Sequence, residues 1–465
     1  MSGFAATDRP LPFPAGPEMP FPDLHQPSAR RPAVLWPGRL VTGLLVLLAV
    51  GSGVMNYWYA SRLDRLGAFE RNDILFMTDP WVNLKAFAEG FVHGRGYKHP
   101  NLTNLVNPPI ELAARIAERL PIVRIDGTTF RRRLALSITP LLGAIQTILI
   151  FLLLGYLGFQ PSSALLISAW NTVSLSRVVF FSLPEYMAIN GFLITGTFWL
   201  AADALRREGR IRKPLWLLWG FLAFGVTITN IVPFAILLLV CQLRTTRAVT
   251  ATFRTAKLVI VAVGLNLVYF WVMTYWVYGL RFIPLVDLRS DRQHNAYQLR
   301  PHNLWRFPLA LAHTIAAPAP FRTSIGREVN SDLESAQRIQ IGMTYFDGPA
   351  LSAQDGLLAG ATLVFLTLGV VGWRRHRLGS YVLGAGLAVI LINCALHLVY
   401  GADELFVFSQ HWQAALTILL AGCLQWTGRW GNALRVVMGA AVATVALSST
   451  RVMSAILEVL ASYAS

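Results

Sequence analysis

LALSITPLLGAIQTILIFLLLGY, residues 134–156, decides the fold class. It carries no charged side chain, and an apolar run of about 18 or more residues can cross a bilayer as a helix. Arg131-Arg132-Arg133 stands immediately before it. The rest of the chain repeats the pattern, with long apolar runs parted by short basic clusters. Of the 465 residues, 54% are hydrophobic and 14% charged, where a soluble domain would carry about 25% charged. Mean hydropathy is +0.50. These features predict an all-α, multi-pass transmembrane helix bundle. The alternating ten-residue pattern of a β-barrel is absent. Cys241, Cys394 and Cys423 all fall in apolar runs, which predicts buried small apolar residues rather than a disulfide framework or metal site.

Outward from this run, further spans read at about 40–59, 162–182, 184–204, 214–227, 231–243, 257–279, 356–373, 379–400, 408–426 and 432–449, for about 11 spans in all. The short pair around Thr229 and Asn230 reads as a broken or re-entrant hairpin. Residues 1–37 hold nine prolines and predict a disordered cytoplasmic tail, not a signal peptide. The chain then divides into a core at 38–280 with an external loop at 60–133, a second external loop at 281–355, and C-terminal helices at 356–465.

Charge orients the bundle, because cytoplasmic loops retain Lys and Arg. With the N-terminus inside, the inner loops collect Arg206, Arg207, Arg210, Arg212 and Lys213, then Arg244, Arg247, Arg254 and Lys257, then Arg374, Arg375 and Arg377, then Arg429 and Arg435. The short outer loops hold Glu185, Asp403 and Glu404. The net charge of +16 reads as a topology signal plus affinity for anionic membrane lipids. No nucleic-acid partner is expected.

The first external loop is the richest in chemistry. From residue 76 to 120 it reads FMTDPWVNLKAFAEGFVHGRGYKHPNLTNLVNPPIELAARIAERL. Asp79-Pro80 predicts a helix start, with Gly94 as its end. Asn107-Pro108-Pro109 predicts a second start. Behind it, Ile110, Ala113, Ala114, Ile116, Ala117 and Leu120 form one face, and Glu111, Arg115, Glu118 and Arg119 the other. Such helices lie in the membrane interface. Arg95, Lys98, Arg131, Arg132 and Arg133 are candidates to hold a phosphate at the outer surface, and His99 to bind substrate. The bland reading of Asp79 is a helix cap. That of each arginine is a solvated or headgroup contact.

In this order of features the chain resembles the GT-C superfamily of integral-membrane glycosyltransferases. There, an acidic motif opens the first external loop beside a juxtamembrane helix. An alanine-bearing helix, an aromatic-His-Pro segment and a proline-marked interfacial helix follow. Asp79, the helix with Ala86 and Ala88, Tyr97 to Pro100, and Pro108-Pro109 match in turn. SLPEYMAINGFLITGTFWLAADAL is similar to the family's entry to its fourth span, with Glu185 at the matching place. GFLAFGVTITNIVPFAILLL resembles its Gly-rich fifth and sixth span pair. The resemblance covers about 40–280. The family's usual second acid beside the first is replaced here by Pro80.

The resemblance implies a bacterial inner-membrane enzyme with a periplasmic site. It moves a sugar from a polyprenyl-phosphate donor to a glycan, lipid or protein acceptor. Transfer needs a base and cations for the departing phosphate. Asp79 is the first candidate base and Asp73 the second. No cofactor is assigned, the Asp-x-Asp motif is absent, and a divalent metal is left open.

Arg177, Glu185, Glu404 and His411 are further candidates at the outer surface, since ionisable groups in membrane helices are costly. Their bland alternative is structural pairing, Arg177 with Glu185 and His397 with Asp403. The second loop adds Asp287, Arg289, Asp291, Arg292, His294 and Arg300, and a capping-box pattern at Ser331 to Glu334. Its Trp305, Phe307 and Leu309 are expected to touch the bilayer. Two other functions compete: an O-antigen ligase or polymerase centred on Arg and His of 281–302, and a lipid or glycan transporter. Polar groups gathered at one face, without half-to-half symmetry, disfavour transport.

Overall fold

The apolar runs become helices. A computed structural model describes residues 38–70, 74–76, 78–90, 99, 101–119, 126–277, 303–315, 322–327, 337–342, 353–376, 378–398, 405–426 and 428–464. The helices are α1 (Arg39–Arg65), α2 (Pro80–Glu89), α3 (Leu102–Glu118), α4 (Gly127–Tyr156), α5 (Pro161–Val173), α6 (Leu175–Phe180), α7 (Tyr186–Arg206), α8 (Lys213–Val226), α9 (Ile231–Leu243) and α10 (Ala248–Val272). The second half adds α11 (Asn303–Ile315), α12 (Ala353–Trp373), α13 (Gly379–His397), α14 (Gln410–Ala421) and α15 (Gly428–Ala464). Extended pairing is confined, among the described residues, to an antiparallel ribbon of β1 (Arg322–Arg327) and β2 (Gln337–Gly342) and a bridge from it to Leu75.

Seven stretches among the described residues are long and apolar enough to cross a membrane: α1, α4, α7, α10, α13, Val407–Gln425 around α14, and α15. The chain is thus a multi-pass membrane protein by helix length and composition. Lys213–Val226, Ile228–Leu243 and Gly360–Trp373 are apolar but shorter. The run expected at 162–182 is broken at Ser174, which is extended at φ −60° and ψ 140°. There the Ser174 hydroxyl donates to the Asn171 carbonyl at 2.7 Å. Such local side-chain bonds compete with the helical ladder.

Two segments form the centre. The hydrophobic window of α7 is 89% buried and that of Val407–Gln425 100%, against 22% for α1 and α10. Polar cross-links hold these segments: Gln146 on α4 donates to Thr195 on α7 at 2.7 Å, and Trp373 on α12 to the Ile418 carbonyl at 2.8 Å. Without water, such groups must find partners inside the bundle. The outward faces of α1 and α10 present Leu47, Val54, Ile260 and Val268, the surface a bilayer would cover. Cys241 and Cys423 are buried as expected, whereas Cys394 is only half-buried.

The second long loop is not bare coil. Its α11 packs against α6 and α14, and Trp412 donates to Thr314 at 2.9 Å. Phe307 and Leu309, expected at the bilayer surface, are instead buried, because the bundle captures the apolar face of α11. The side chain of Trp305, the 287–300 cluster, the capping box at 331–334 and the tail 1–37 lie outside the described residues.

Candidate active site at the head of α2

Pro80 occupies the first turn of α2, where its missing N–H costs nothing. The helix stops at Glu89 rather than running to the expected Gly94, because Gly90, four residues earlier, takes the left-handed conformation at φ 71°. Asn107 of α3 closes that end by donating to the Phe87 carbonyl at 2.9 Å.

Asp79 sits at the N-cap position but makes no side-chain cap bond. The carboxylate at this helix start comes from Glu185 instead. Glu185 Oε2 accepts the Asp79 N–H at 3.0 Å and Asn83 Nδ2 at 3.1 Å. Its Oε1 accepts the Tyr186 N–H at 3.0 Å. Asn83 also donates to the Asp79 carbonyl at 3.0 Å. Glu185 is wholly buried and Asp79 partly exposed. A second carboxylate is therefore delivered to Asp79 from the start of α7, where the neighbouring position in sequence holds Pro80.

His99 joins from the other side. Its ring lies 4.0 Å from that of Tyr186, the residue after Glu185. Its Nδ1 is 2.9 Å from the Val226 carbonyl. A carbonyl only accepts, so Nδ1 carries the proton in this contact. Asn101 fixes the segment, since its N–H donates to the Gly225 carbonyl at 2.8 Å and its Nδ2 to Asn266 Oδ1 at 2.9 Å.

The second long loop reaches the same place. The Phe76 N–H donates to the Ile341 carbonyl at 2.7 Å, and the Ile341 N–H to the Ile74 carbonyl at 2.8 Å. The ribbon thus adds backbone pairing three residues before Asp79.

The second expected helix start is corrected. α3 begins at Leu102, and Pro108 and Pro109 lie inside it. Pro108 cannot donate to the carbonyl of Asn104, four residues back. The Tyr269 hydroxyl donates there instead, at 3.1 Å.

The arginine triplet lies within α4. Asp126 caps that helix by accepting the Thr129 N–H at 3.0 Å. Arg131 pairs with Glu111 at 2.8 Å and Glu118 at 3.3 Å, Arg132 with Asp64 at 2.5 Å, and Arg133 is exposed. The Arg131 and Arg115 guanidiniums hold the Glu111 carboxyl down at about 2. Arg131, Arg132 and Lys85 line a cavity of about 660 Å³ between α2, α3 and α4. Lys85 stands 4.3 Å over the Trp81 ring there. Asn83 lies two residues, about 200° around the helix, from Trp81, so this cavity and the Glu185 contact occupy different faces of α2.

Arg177 and His411 are deeper in the bundle. Arg177 is fully buried and donates to Asn171 at 2.6 Å, to Thr147 at 2.7 Å and to the Gly143 carbonyl. These bonds tie the two sides of the break at Ser174. The alternative pairing of Arg177 with Glu185 is not made among the described bonds. His411 Nε2 lies 3.4 Å from Asn190, which in turn accepts from Asn230 at 2.8 Å. Asn190 follows Glu185 by five residues on α7, about 7.5 Å along the axis.

Asp73, Arg95, Lys98, Asp403 and Glu404 lie outside the described residues. Sequence reading missed Asn83, Tyr186 and Lys85. Asn83 stands one helical turn from Asp79, and that spacing is the signal that could have found it. No protein-family model matches the chain, and no curated protein matches it.

Proposed function

We propose that this protein is a membrane glycosyltransferase that moves a sugar from a polyprenyl-phosphate donor to an acceptor hydroxyl at the outer face of a bacterial inner membrane. One observation carries the reading: the buried Glu185 carboxylate, bound to the Asp79 backbone and to Asn83, brings a second acid to the head of α2. In the reading, α2 and α3 lie along the membrane interface. The three shorter apolar helices and the broken pair α5–α6 join the seven long ones, for about 11 spans. The N-terminus is cytoplasmic by the charge rule.

Asp79, partly exposed, accepts the proton of the acceptor hydroxyl. The hydroxyl oxygen bonds to the anomeric carbon of the sugar, and the bond from that carbon to the lipid phosphate oxygen breaks. The electron pair leaves with the phosphate. Glu185 is a positioning residue, holding Asp79 and Asn83 at the helix start. Lys98 and Arg95, close to His99 in sequence, are the cations assigned to the departing phosphate. Arg131 and Arg132 are largely neutralised by Glu111, Glu118 and Asp64. With Lys85 they are assigned to a headgroup at the cavity.

The test is an Asp79→Asn variant of the full chain in its parent strain, scored for cell-surface glycan at normal protein level. Loss of the glycan is expected, and an unchanged glycan sinks the assignment.

A further inference from the structure

At the opposite end of α7, about 30 Å from Glu185 along the helix, the chain builds a second cavity of about 760 Å³. Four cations, Arg210, Lys213, Arg254 and Lys257, line it together with the apolar Leu258 and Val261. None of its described lining residues is acidic. The frame is tight: Gly209 adopts φ 86°, and a side chain there would meet the Cys241 carbonyl at 2.7 Å. Only glycine lets the turn from α7 to α8 dock onto the end of α9.

The placement of the cations is the second observation. Arg254 and Lys257 lie six and nine residues into α10, immediately before its charge-free stretch 258–272. Cations at such a border sit at headgroup level, where anionic lipid attracts them. α8 has 14 residues, about 21 Å of length against a hydrocarbon core of about 30 Å. A short helix beside a long one draws headgroups inward at its end. Here that inward step coincides with the four cations and is floored by apolar side chains.

We propose that this groove between α8 and α10 is a binding site for the headgroup of an anionic phospholipid, with its phosphate among the four cations and its acyl chains along Leu258 and Val261. The charge distribution places this end in the cytoplasm, so the lipid belongs to the inner leaflet. The site does not depend on the transferase reading.

The test uses the full chain, delipidated in neutral detergent and titrated with phosphatidylglycerol or phosphatidylcholine under native mass spectrometry. The first phosphatidylglycerol should bind at least tenfold more weakly to the double variant Arg254→Ala with Lys257→Ala. Arg254→Lys with Lys257→Arg should retain it. A control double variant, Arg374→Ala with Arg429→Ala, removes two exposed cations outside the groove and should change binding less than twofold. Equal losses in groove and control variants overturn the site in favour of diffuse attraction. Equal binding of phosphatidylcholine overturns it as well. Displacement of the lipid by glycerol 3-phosphate at matching concentration makes the occupant a soluble phosphate and overturns the lipid assignment.

Discussion

Glu185 accepts the backbone N–H of Asp79 at 3.0 Å across 106 residues of sequence. The contact does what the Asp79 side chain does not: it supplies the acceptor for the start of α2. It is also buried and shared with Asn83 and Tyr186, so removing it strands several donors at once.

Glu185→Ala should therefore destabilise the protein by about 2–3 kcal/mol, the scale for leaving buried donors without an acceptor. Thermal unfolding in detergent reads this loss. Glu185→Gln keeps the shape and one acceptor oxygen, and should lose less stability. By removing the titratable carboxyl beside Asp79, it should also change the pH profile of kcat/KM in a transfer assay. A merely structural bond would leave that profile in place.

Asn83 separates charge from shape in the same contact. Asn83→Ala deletes donors to the Asp79 carbonyl and to Glu185 and should cost about 1–2 kcal/mol. Asn83→Asp is nearly isosteric but sets a carboxylate against the buried Glu185. It should be the more damaging of the two. If unfolding ranks Asn83→Ala below Asn83→Asp, the contact is not electrostatic in the way argued.

The Glu111 carboxyl gives a pH signature outside the bundle. Its folded value of about 2 lies below the ordinary 4.5 because Arg131 and Arg115 bind the charged form. The stabilisation is thus fully present above pH 4.5 and fades as pH falls toward 2. The pair is solvent-accessible, so its share is small and weakened by salt. Glu111→Gln should flatten the stability curve between pH 4.5 and 2 in low salt and change it little at 1 M salt.

Much of the architecture was legible in the sequence because its cause is local. Uncharged runs such as 134–156 form helices whatever surrounds them, and Pro80 begins α2 where a helix-start signal predicts. The failures share a different cause. Asp79 reads as a cap by its type and place, yet the acceptor at that helix start is Glu185, which no local rule relates to it. Gly90 and Gly94 are equally good stops on paper, and Asn107 settles the choice from another helix. Arg177 and Glu185 suggest a pair by proximity in sequence, but the break at Ser174 gives Arg177 neutral partners nearer at hand. The candidate site was legible as a list of residue types, and its assembly depends on contacts more than a hundred residues apart.

The same logic makes Pro108 testable. A proline inside α3 leaves the Asn104 carbonyl without its helical donor, and Tyr269 of α10 supplies the hydroxyl at 3.1 Å. Tyr269→Phe removes that donor and should cost about 1 kcal/mol. Pro108→Ala restores an N–H four residues along, so the carbonyl regains a partner within its own helix. In the Pro108→Ala background, Tyr269→Phe should then cost markedly less. A double-mutant cycle by thermal unfolding measures the coupling. Strict additivity would mean that the Tyr269 bond has no part in tolerating the proline, and that α3 keeps its prolines for another reason.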